Sequence, residues 1–236
     1  MNKIMKIYKT LYSNYGAQGW WPFINNKGTN DEKEGNTQGY HILDYSFPKN
    51  EEQVFEVCLG SILTQNTTFT SVVKSLHNLN DIDALNYKRI KELPIDELKA
   101  LIRPSGYYNQ KSNYILEFIK FFESLKGRVP TRDELLEIKG IGEETADSIL
   151  LFAYNQAQFK VDAYTKRMLT HYNFIPQNAK YKDIKAFMEK EIKKEIIDEN
   201  ELVIIYQEYH ALIVNHAKKY YSKKPYGNGC FLASED

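Results

Sequence analysis

Apolar residues recur at helical spacing through most of this 236-residue sequence, and Pro or Gly separates one such segment from the next. Alternation of apolar and polar residues with a period of two is nearly absent. The segments with helical spacing are 54–63, 90–102, 114–125, 134–138, 145–154, 181–197 and 202–221. The pattern therefore predicts an all-α fold of about seven to ten helices.

The overall composition limits the possible classes of protein. The chain carries 42% hydrophobic residues, enough for a substantial core, and its 31 basic residues balance its 31 acidic residues. Overall charge therefore makes no case for nucleic acid, and any basic surface must be local. No apolar run approaches the roughly 20 residues of a membrane span, and residues 1–12 lack a signal-peptide apolar block. We expect a cytoplasmic protein without membrane contact.

The cysteines and histidines offer no metal site. Cys58 and Cys230 are far apart and have no neighbouring cysteine, and the five histidines are scattered without metal-ligand spacing. We therefore expect neither a disulfide nor a cofactor.

One segment interrupts the helical pattern. Residues 25–40 read NNKGTNDEKEGNTQGY, which is polar, rich in Gly and Asn and without an apolar period. This composition predicts a long loop or insertion, and we expect it to be a solvated surface excursion.

The sequence TRDELLEIKGIG, at 131–142, has the features of two helices joined by a tight turn. Thr131 and Glu134 form a capping box that starts the first helix. Gly140 and Gly142 allow positive φ in the turn, and its N–H groups would lie at the start of the second helix, where the dipole favours an anion such as phosphate. Ile141 is expected to point inward. A turn of this kind also occurs as an ordinary helix C-cap.

The pattern LxxxKGIGxxTAxxIL at 135–150, followed by VDxxTxR at 161–167, resembles the helix-hairpin-helix DNA glycosylases of the endonuclease III superfamily. The resemblance implies two helical lobes with a DNA-binding cleft between them. Residues 46–156 would form a six-helix barrel that ends in the hairpin, and 1–45 with 157–236 would form the second lobe. The implied DNA contacts in the hairpin are Lys139, Gly140, Ile141, Gly142 and Thr145.

Asp162 is the candidate catalytic residue. In that superfamily an aspartate at this position caps a helix and faces the sugar of the flipped nucleotide. Breaking an N-glycosidic bond builds positive charge on the deoxyribose, which a fixed anion beside the sugar stabilises. The same carboxylate can orient or deprotonate the attacking water. A helix over 163–171 would need Asp162 only as its N-cap, and both roles can hold together.

Glu144 decides what kind of glycosylase the resemblance implies. Relatives that also cleave the DNA backbone carry a lysine two residues after the second glycine of the hairpin. Glu144 occupies that position here, and a carboxylate cannot form a Schiff base. We therefore expect base removal that leaves an abasic site without β-elimination, and a relocated amine is the alternative.

Three aromatic residues are candidates for the pocket that holds the expelled base. Trp20 and Trp21 are adjacent, so their side chains point apart and at least one is expected to face a pocket. Phe69 would sandwich the base with one of them. Gln65 matches the glutamine at the DNA intercalation edge in that superfamily and is the candidate to enter the gap in the duplex. Ordinary core packing is the alternative for each residue.

The motifs WWP, LTQNTxF and RPSGYYNQK look most like the 3-methyladenine DNA glycosylase III branch of the superfamily. An aromatic pocket with few polar groups favours electron-poor, positively charged bases, so alkylated purines such as 3-methyladenine are the expected substrates. One alternative is a mismatch-specific uracil or thymine glycosylase that reads the pyrimidine edge with Tyr107, Tyr108 and Asn109. The other is a catalytically silent DNA-binding protein. We expect a monomer that acts on damaged double-stranded DNA and associates with the nucleoid.

The C-terminal segment resembles the part of many relatives that leads into a four-cysteine iron–sulfur loop. The spacing of that loop, counted from Cys230, puts Tyr220, Gly227 and Asp236 at the other ligand positions. One thiolate cannot hold a [4Fe–4S] cluster. We expect a basic, aromatic tail whose lysines contact phosphate, and we interpret His210 and His216 as structural. The lysines are Lys218, Lys219, Lys223 and Lys224.

Overall fold

The computed structural model describes residues 1–33 and 35–234. Its α-helices are α1 (Lys3–Tyr15), α2 (Glu51–Leu63), α3 (Phe69–Asn80), α4 (Tyr87–Glu92), α5 (Ile95–Leu101), α6 (Tyr108–Leu125), α7 (Arg132–Leu136), α8 (Glu143–Ala153), α9 (Ala163–His171), α10 (Tyr181–Lys193) and α11 (Glu199–Tyr220). Two 3-10 turns cover Arg103–Ser105 and Phe231–Ser234. The described residues contain no β-strand, only an isolated bridge between Thr29 and Gln38. The predicted all-α class is confirmed.

The helix count exceeds the predicted range for a local reason. Pro94 divides the segment that we expected as one helix over 90–102, because proline lacks the N–H that a continuous helix needs. The chain thus forms α4 and α5 there, which brings the described residues to eleven α-helices. The predicted capping box of Thr131 and Glu134 is present and starts α7.

The contacts between helices group the chain into two parts. Helix α2 packs against α3, α6 and α8, whereas α1 packs against α10 and α11 at the other end of the chain. Both chain ends therefore share one core. These contacts support the proposal of two lobes, 46–156 and 1–45 with 157–236. Helix α11 also packs against α8 and α9, so it joins the hairpin region to the second part.

The C-terminal tail is fixed by a buried cluster around Cys230. The Cys230 Sγ lies 3.1 Å from His216 Nε2 and 3.7 Å from the hydroxyl of Tyr221, and the hydroxyl of Tyr15 lies 2.9 Å from His216 Nδ1. His216 is fully buried. The structural role that we predicted for this histidine agrees with its position between α1, α11 and the tail.

Among the described residues, one cysteine stands at the positions that would hold an iron–sulfur cluster in the tail. Tyr220 and Gly227 supply no thiolate at the expected ligand positions, and Asp236 lies outside the described residues. Cys230, the remaining position, is occupied by its contact with His216. Within 1–33 and 35–234, no three His, Cys, Asp or Glu side chains come together as a potential metal site. The same part of the chain contains no helix with the length and hydropathy of a membrane span.

Burial of His216 predicts a loss of stability in acid. Burial and the nearby Lys219 lower the pKa of His216 to about 4. The unfolded chain takes up a proton on this histidine below about pH 6.5 while the folded chain does not, so folding stability falls as the pH drops from 6.5 towards 4. Because of this histidine, the free energy of unfolding should be roughly 1–2 kcal/mol lower at pH 5 than at pH 7.5.

Urea unfolding of the wild type and of His216→Gln at pH 7.5 and pH 5 measures this effect. The loss between the two pH values should be smaller in His216→Gln, which has no titratable ring. His77→Gln is the matched control because His77 is exposed at the end of α3. An equal loss in the wild type and in His216→Gln would contradict the prediction.

Candidate active-site cleft

A cleft lies where α11 meets the start of α9, the start of α8 and the segment that follows α2. It consists of two adjoining cavities of about 370 and 400 Å³. Ligand sites of a few hundred Å³ are typical for small molecules, and a single base is no larger. The residues that line both cavities are Trp20, Thr64, Asn66, Glu144 and Lys160.

Asp162 lines the 370 Å³ cavity and is also the N-cap of α9. Its Oδ1 accepts a hydrogen bond from the Thr165 N–H at 2.7 Å and one from the Thr165 hydroxyl at 2.9 Å. Its Oδ2 accepts no hydrogen bond within the described residues, and none of their salt bridges includes Asp162. The carboxylate thus holds the helix with one oxygen and leaves the other available to the cleft.

The surroundings of Asp162 keep it ionised. Burial raises the pKa of Asp162, whereas His210, Lys160 and the hydrogen bonds from Thr165 lower it, and the net shift is downward. Burial and the charge of Lys160 lower the pKa of His210 to about 3, although Asp162 raises it. The imidazole is therefore neutral near pH 7, and Lys160 and Thr165 remain as the groups that stabilise the carboxylate. An ionised carboxylate in a sheltered cleft can stabilise a nearby positive charge.

Lys160 connects Asp162 to the hairpin. Its ammonium lies 3.4 Å from Glu144 Oε1 and 3.4 Å from His210 Nε2, and its side chain is only 12% exposed. Glu144 itself is about half exposed and lines both cavities.

Gly140 is required by the turn of the hairpin. Its φ is +91°, and a Cβ at this position would overlap the ring of Tyr114. Gly142 differs, since its φ is −95°, and it is the extended N-cap of α8 with open space where a Cβ would be. The prediction of positive φ at both glycines is therefore wrong for Gly142. Ile141 is 5% exposed and points into the core, as predicted.

The hairpin surface that we predicted to contact DNA is partly open. Lys139 and Gly142 are exposed, whereas Thr145 is buried and lines the 400 Å³ cavity. Two carboxylates occupy the first turn of α8. Glu143 lies 3.4 Å from Arg132, and Glu144 is paired with Lys160, so each faces a cation of the protein.

A buried carboxylate joins the hairpin to the segment that carries Asp162. Asp147 of α8 is fully buried, and its Oδ1 accepts from Arg132 Nε of α7 at 2.8 Å. The hydroxyl of Tyr181 donates to Asp147 Oδ2 at 2.8 Å and accepts from the Val161 N–H at 3.4 Å. Movement of the hairpin relative to Asp162 would break this network, so the two are held in fixed geometry.

The aromatic residues form one wall of the cleft. Trp20 is partly exposed and lines both cavities. Trp21 is 4% exposed, lines the 400 Å³ cavity and packs against Gly60 of α2, where a Cβ would lie 2.5 Å from its ring. The rings of Trp20 and Phe69 are 4.5 Å apart between centroids. A base stacked between two rings needs about 7 Å, twice a van der Waals contact of roughly 3.5 Å. The expected sandwich therefore does not fit this structure, and a base would stack against the wall.

Gln65 lies between the aromatic wall, formed by Trp20, Trp21 and Phe69, and the turn of the hairpin. Its Nε2 donates to the carbonyl oxygen of Gly140 at 2.8 Å, and its side chain lines the 400 Å³ cavity. The side chain therefore ties the segment after α2 to the turn of the hairpin. Entry into a duplex would require this hydrogen bond to break.

The polar segment 25–40, apart from Glu34, differs most from its expected role. Lys33, Asn36 and Tyr40 line the 370 Å³ cavity, so this segment forms part of the cleft rather than a solvated excursion. Asn30 Nδ2 donates to the backbone oxygen of Gln18 at 3.0 Å, and the Lys33 ammonium bonds to the Gln18 side chain. These bonds bring the segment back against the cleft.

Helix α11 supplies cleft residues that the sequence analysis missed. His210, which we interpreted as structural, lines the 370 Å³ cavity together with Asn215, which we did not single out. Lys218, which we expected to contact phosphate, lines it too. The spacing of these residues along α11 puts them on one side of the helix, but the same spacing is found in ordinary core helices. Tyr107, Tyr108 and Asn109 line neither cavity, and Tyr107 is 63% exposed.

Comparison with known proteins agrees with this architecture. A family model described as HhH-GPD superfamily base excision DNA repair protein matches residues 59–194. The protein named "Putative DNA repair glycosylase MJ1434" of Methanocaldococcus jannaschii is 38% identical over 238 residues, which cover 96% of this chain and 92% of that protein.

Solved structures show the same fold. The H. pylori 3-methyladenine DNA glycosylase (MagIII) bound to 1,N6-ethenoadenine is 29% identical with a TM-score of 0.69, over 92% of this chain and 98% of that chain. A trapped endonuclease III–DNA covalent intermediate gives a TM-score of 0.68 at 18% identity, over 98% of this chain and 94% of that chain. The second likeness concerns the fold alone.

The two hairpin glycines should respond differently to substitution. Gly140→Ala should lower the free energy of unfolding by about 2–4 kcal/mol, because alanine is strained at positive φ and its Cβ meets Tyr114. Gly142→Ala is the matched control and should change it by less than about 1 kcal/mol, since its Cβ enters open space. Urea denaturation of the two variants measures both effects, and equal losses would contradict the geometry of the turn.

Proposed function

Because the chain belongs to the HhH-GPD superfamily of base excision DNA repair proteins, we propose that it is a monofunctional DNA glycosylase that removes an altered base by hydrolysis. The reaction leaves an abasic site in damaged double-stranded DNA. The observation that carries the proposal is the free Oδ2 of Asp162 in a base-sized cavity. We propose that the protein acts as a monomer associated with cellular DNA.

Asp162 would act on the sugar of the flipped nucleotide. As the base departs, the deoxyribose becomes cationic, and the ionised carboxylate stabilises that charge by direct electrostatic attraction. The attacking water would be oriented or deprotonated by the same group. The N-cap bonds from Thr165 fix the carboxylate before substrate binds, so little reorganisation is needed during the reaction.

Two features support the absence of lyase chemistry. Glu144 takes the position where bifunctional relatives carry the attacking lysine, and a carboxylate cannot form an imine with the sugar. Lys160 is the amine that contacts Glu144 in the cleft, and its ammonium lies 3.4 Å from that carboxylate.

Alkylated purines such as 3-methyladenine are the first candidate substrates. Trp20 and Phe69 both line the 370 Å³ cavity, and their ring centroids are 4.5 Å apart. Stacking against such a wall favours electron-poor bases. The 29% likeness to the H. pylori 3-methyladenine DNA glycosylase over nearly the full length of both chains agrees with this choice.

Mismatched uracil or thymine is the second candidate, and a specific observation favours it. The lining of the 370 Å³ cavity is mostly apolar but includes several side chains that can form hydrogen bonds. Such groups can read the edge of a pyrimidine. They include Lys33, Asn36, Asn66, Thr67 and Asn215. The residues that we first expected to read the pyrimidine, Tyr107, Tyr108 and Asn109, are not among them.

Binding of DNA would use the hairpin and the segment after α2. Lys139 and the turn from Gly140 to Gly142 would contact a phosphate, with Thr145 behind them at the start of α8. Gln65 would leave the Gly140 carbonyl and enter the gap in the duplex. Since the whole chain is neutral, few counterions would be released and non-specific affinity for DNA should be weak.

Asp162→Asn tests the catalytic role without removing the cap. Asparagine can still accept from the Thr165 N–H, so the fold should persist, but it carries no charge. Single-turnover release of 3-methyladenine and of uracil from duplex DNA should fall at least about 100-fold. Equal rates in the wild type and in Asp162→Asn would refute the mechanism. Release of neither base by the wild type would favour a silent DNA-binding protein.

Borohydride trapping tests the absence of a lyase. The wild type should form no covalent adduct with DNA, and product strands should stay intact until alkali is added, because no free amine attacks the sugar. Endonuclease III serves as the positive control. An adduct that forms with the wild type but not with Lys160→Met would identify Lys160 as a relocated nucleophile and overturn the monofunctional assignment.

A further inference from the structure

The segment 25–40, apart from Glu34, is a built wall of the cleft. A Cβ at Gly28 would overlap the carbonyl oxygen of Tyr40, and one at Gly39 would overlap the backbone of Phe23, so this part of the chain needs close backbone contact. The Asn26 side chain donates to the carbonyl oxygen of Tyr40 at 2.8 Å. This packing is specific and places the neighbouring side chains at the cavity.

Among the described residues of this segment, Lys33 is the charged side chain at the cavity. It lines the 370 Å³ cavity, its ammonium bonds to Gln18, and it lies 5.9 Å from the centroid of the Tyr40 ring. Gln18 is fully buried, and its N–H donates at 2.7 Å to the buried Glu208. The Lys33 side chain is thus held by groups in the interior rather than by solvent.

Asn215 of α11 faces the same cavity and has an unused donor. The residue is 4% exposed, and its Nδ2 has no hydrogen-bond partner among the described residues. Buried amide groups are rarely left unpaired, since the loss of hydration is not recovered. A ligand in the cavity that presents an acceptor would pair with it.

We propose that Lys33 and Asn215 are specificity-determining residues that donate hydrogen bonds to acceptors on the edge of the flipped base. This proposal rests on the glycosylase function above and, of its two candidate substrate classes, favours the neutral pyrimidines uracil and thymine, whose carbonyl groups accept hydrogen bonds, over cationic bases such as 3-methyladenine. It gives the described part of the polar segment, 25–33 and 35–40, a role in selecting the base.

The charges around the cavity support the preference for neutral bases. Lys160 is neutralised by Glu144, whereas none of the salt bridges in the described part of the chain includes Lys33 or Lys218. A positively charged base would be repelled by Lys218 and by the protonated form of Lys33, whereas the Asp162 carboxylate, which lines the same cavity, is assigned to the sugar. Burial and Lys218 lower the pKa of Lys33 to about 7, and Glu208 raises it. The amine donates a hydrogen bond in either protonation state.

Lys33 and Lys218 also predict an order of affinity among the candidate substrates. Uracil and uncharged alkylated purines with acceptor atoms should bind better than cationic bases such as 7-methylguanine. Removal of Lys33 should therefore weaken recognition of the first class and relieve repulsion of the second. If Lys33 had only a structural role, its removal would change the affinity for neutral and for cationic bases in the same direction.

The test measures duplex affinity in the Asp162→Asn protein, in which the base stays attached. Fluorescence anisotropy compares three duplexes: one with uracil opposite guanine, one with 7-methylguanine opposite cytosine, and one undamaged. Lys33→Met and Asn215→Leu are added separately. Lys27→Met is the matched control, since Lys27 lies in the same segment but is exposed and lines neither cavity.

Lys33→Met should lower the affinity for uracil relative to undamaged DNA by about tenfold, the effect of one lost hydrogen bond. It should raise the affinity for 7-methylguanine relative to uracil, and Lys27→Met should change neither ratio. Asn215→Leu should lower the uracil preference if circular dichroism shows that it folds. Unchanged ratios in Lys33→Met would overturn the proposal.

The outcome is separable from that of the proposed function. If the wild type releases no base but the uracil preference is present and depends on Lys33, the glycosylase assignment fails and the recognition role stands. If the wild type releases uracil and its preference is the same in Lys33→Met, the recognition role fails alone.

Discussion

The two oxygens of the Asp162 carboxylate have different roles, and the rest of the site depends on this arrangement. One oxygen caps α9 through Thr165, which fixes the group in space, and the other oxygen remains available to the cavity. Lys160 favours the ionised form without forming a direct ion pair with it. A carboxylate held in this way gives a fixed negative charge at low cost to folding, because the same group also stabilises a helix.

The other parts of the cleft are arranged around this charge. Asp147 and Tyr181 connect the hairpin to the segment before Asp162, so the element proposed to contact the phosphate and the element proposed to act on the sugar are rigidly related. Trp20 and the segment 25–40, apart from Glu34, form the walls where a base would lie. The geometry therefore combines a position for the backbone, one for the sugar and one for the base.

Local signals made part of this site predictable from the sequence. The capping box at Thr131, the glycine turn and the aspartate before α9 are short patterns whose chemistry is set by neighbouring residues. Gly142 shows the limit of such reasoning. Its φ is −95° and a Cβ would enter open space, so the backbone does not require glycine at this position. Lys33 and Asn215 could not be predicted, since they meet only through packing between residues that are far apart in the sequence. The short distance between the rings of Trp20 and Phe69 also depends on tertiary packing and could not be predicted from the sequence.

The central claim is that Asp162 stabilises a cationic sugar, and binding of transition-state mimics tests it most directly. The probes are two duplexes with the same sequence, one with a cationic pyrrolidine abasic site and one with a neutral tetrahydrofuran abasic site. The wild type should bind the cationic duplex at least about 100-fold more tightly, and Asp162→Asn should lose that preference. Equal affinity of the wild type for both duplexes, or a preference that persists in Asp162→Asn, would contradict the account.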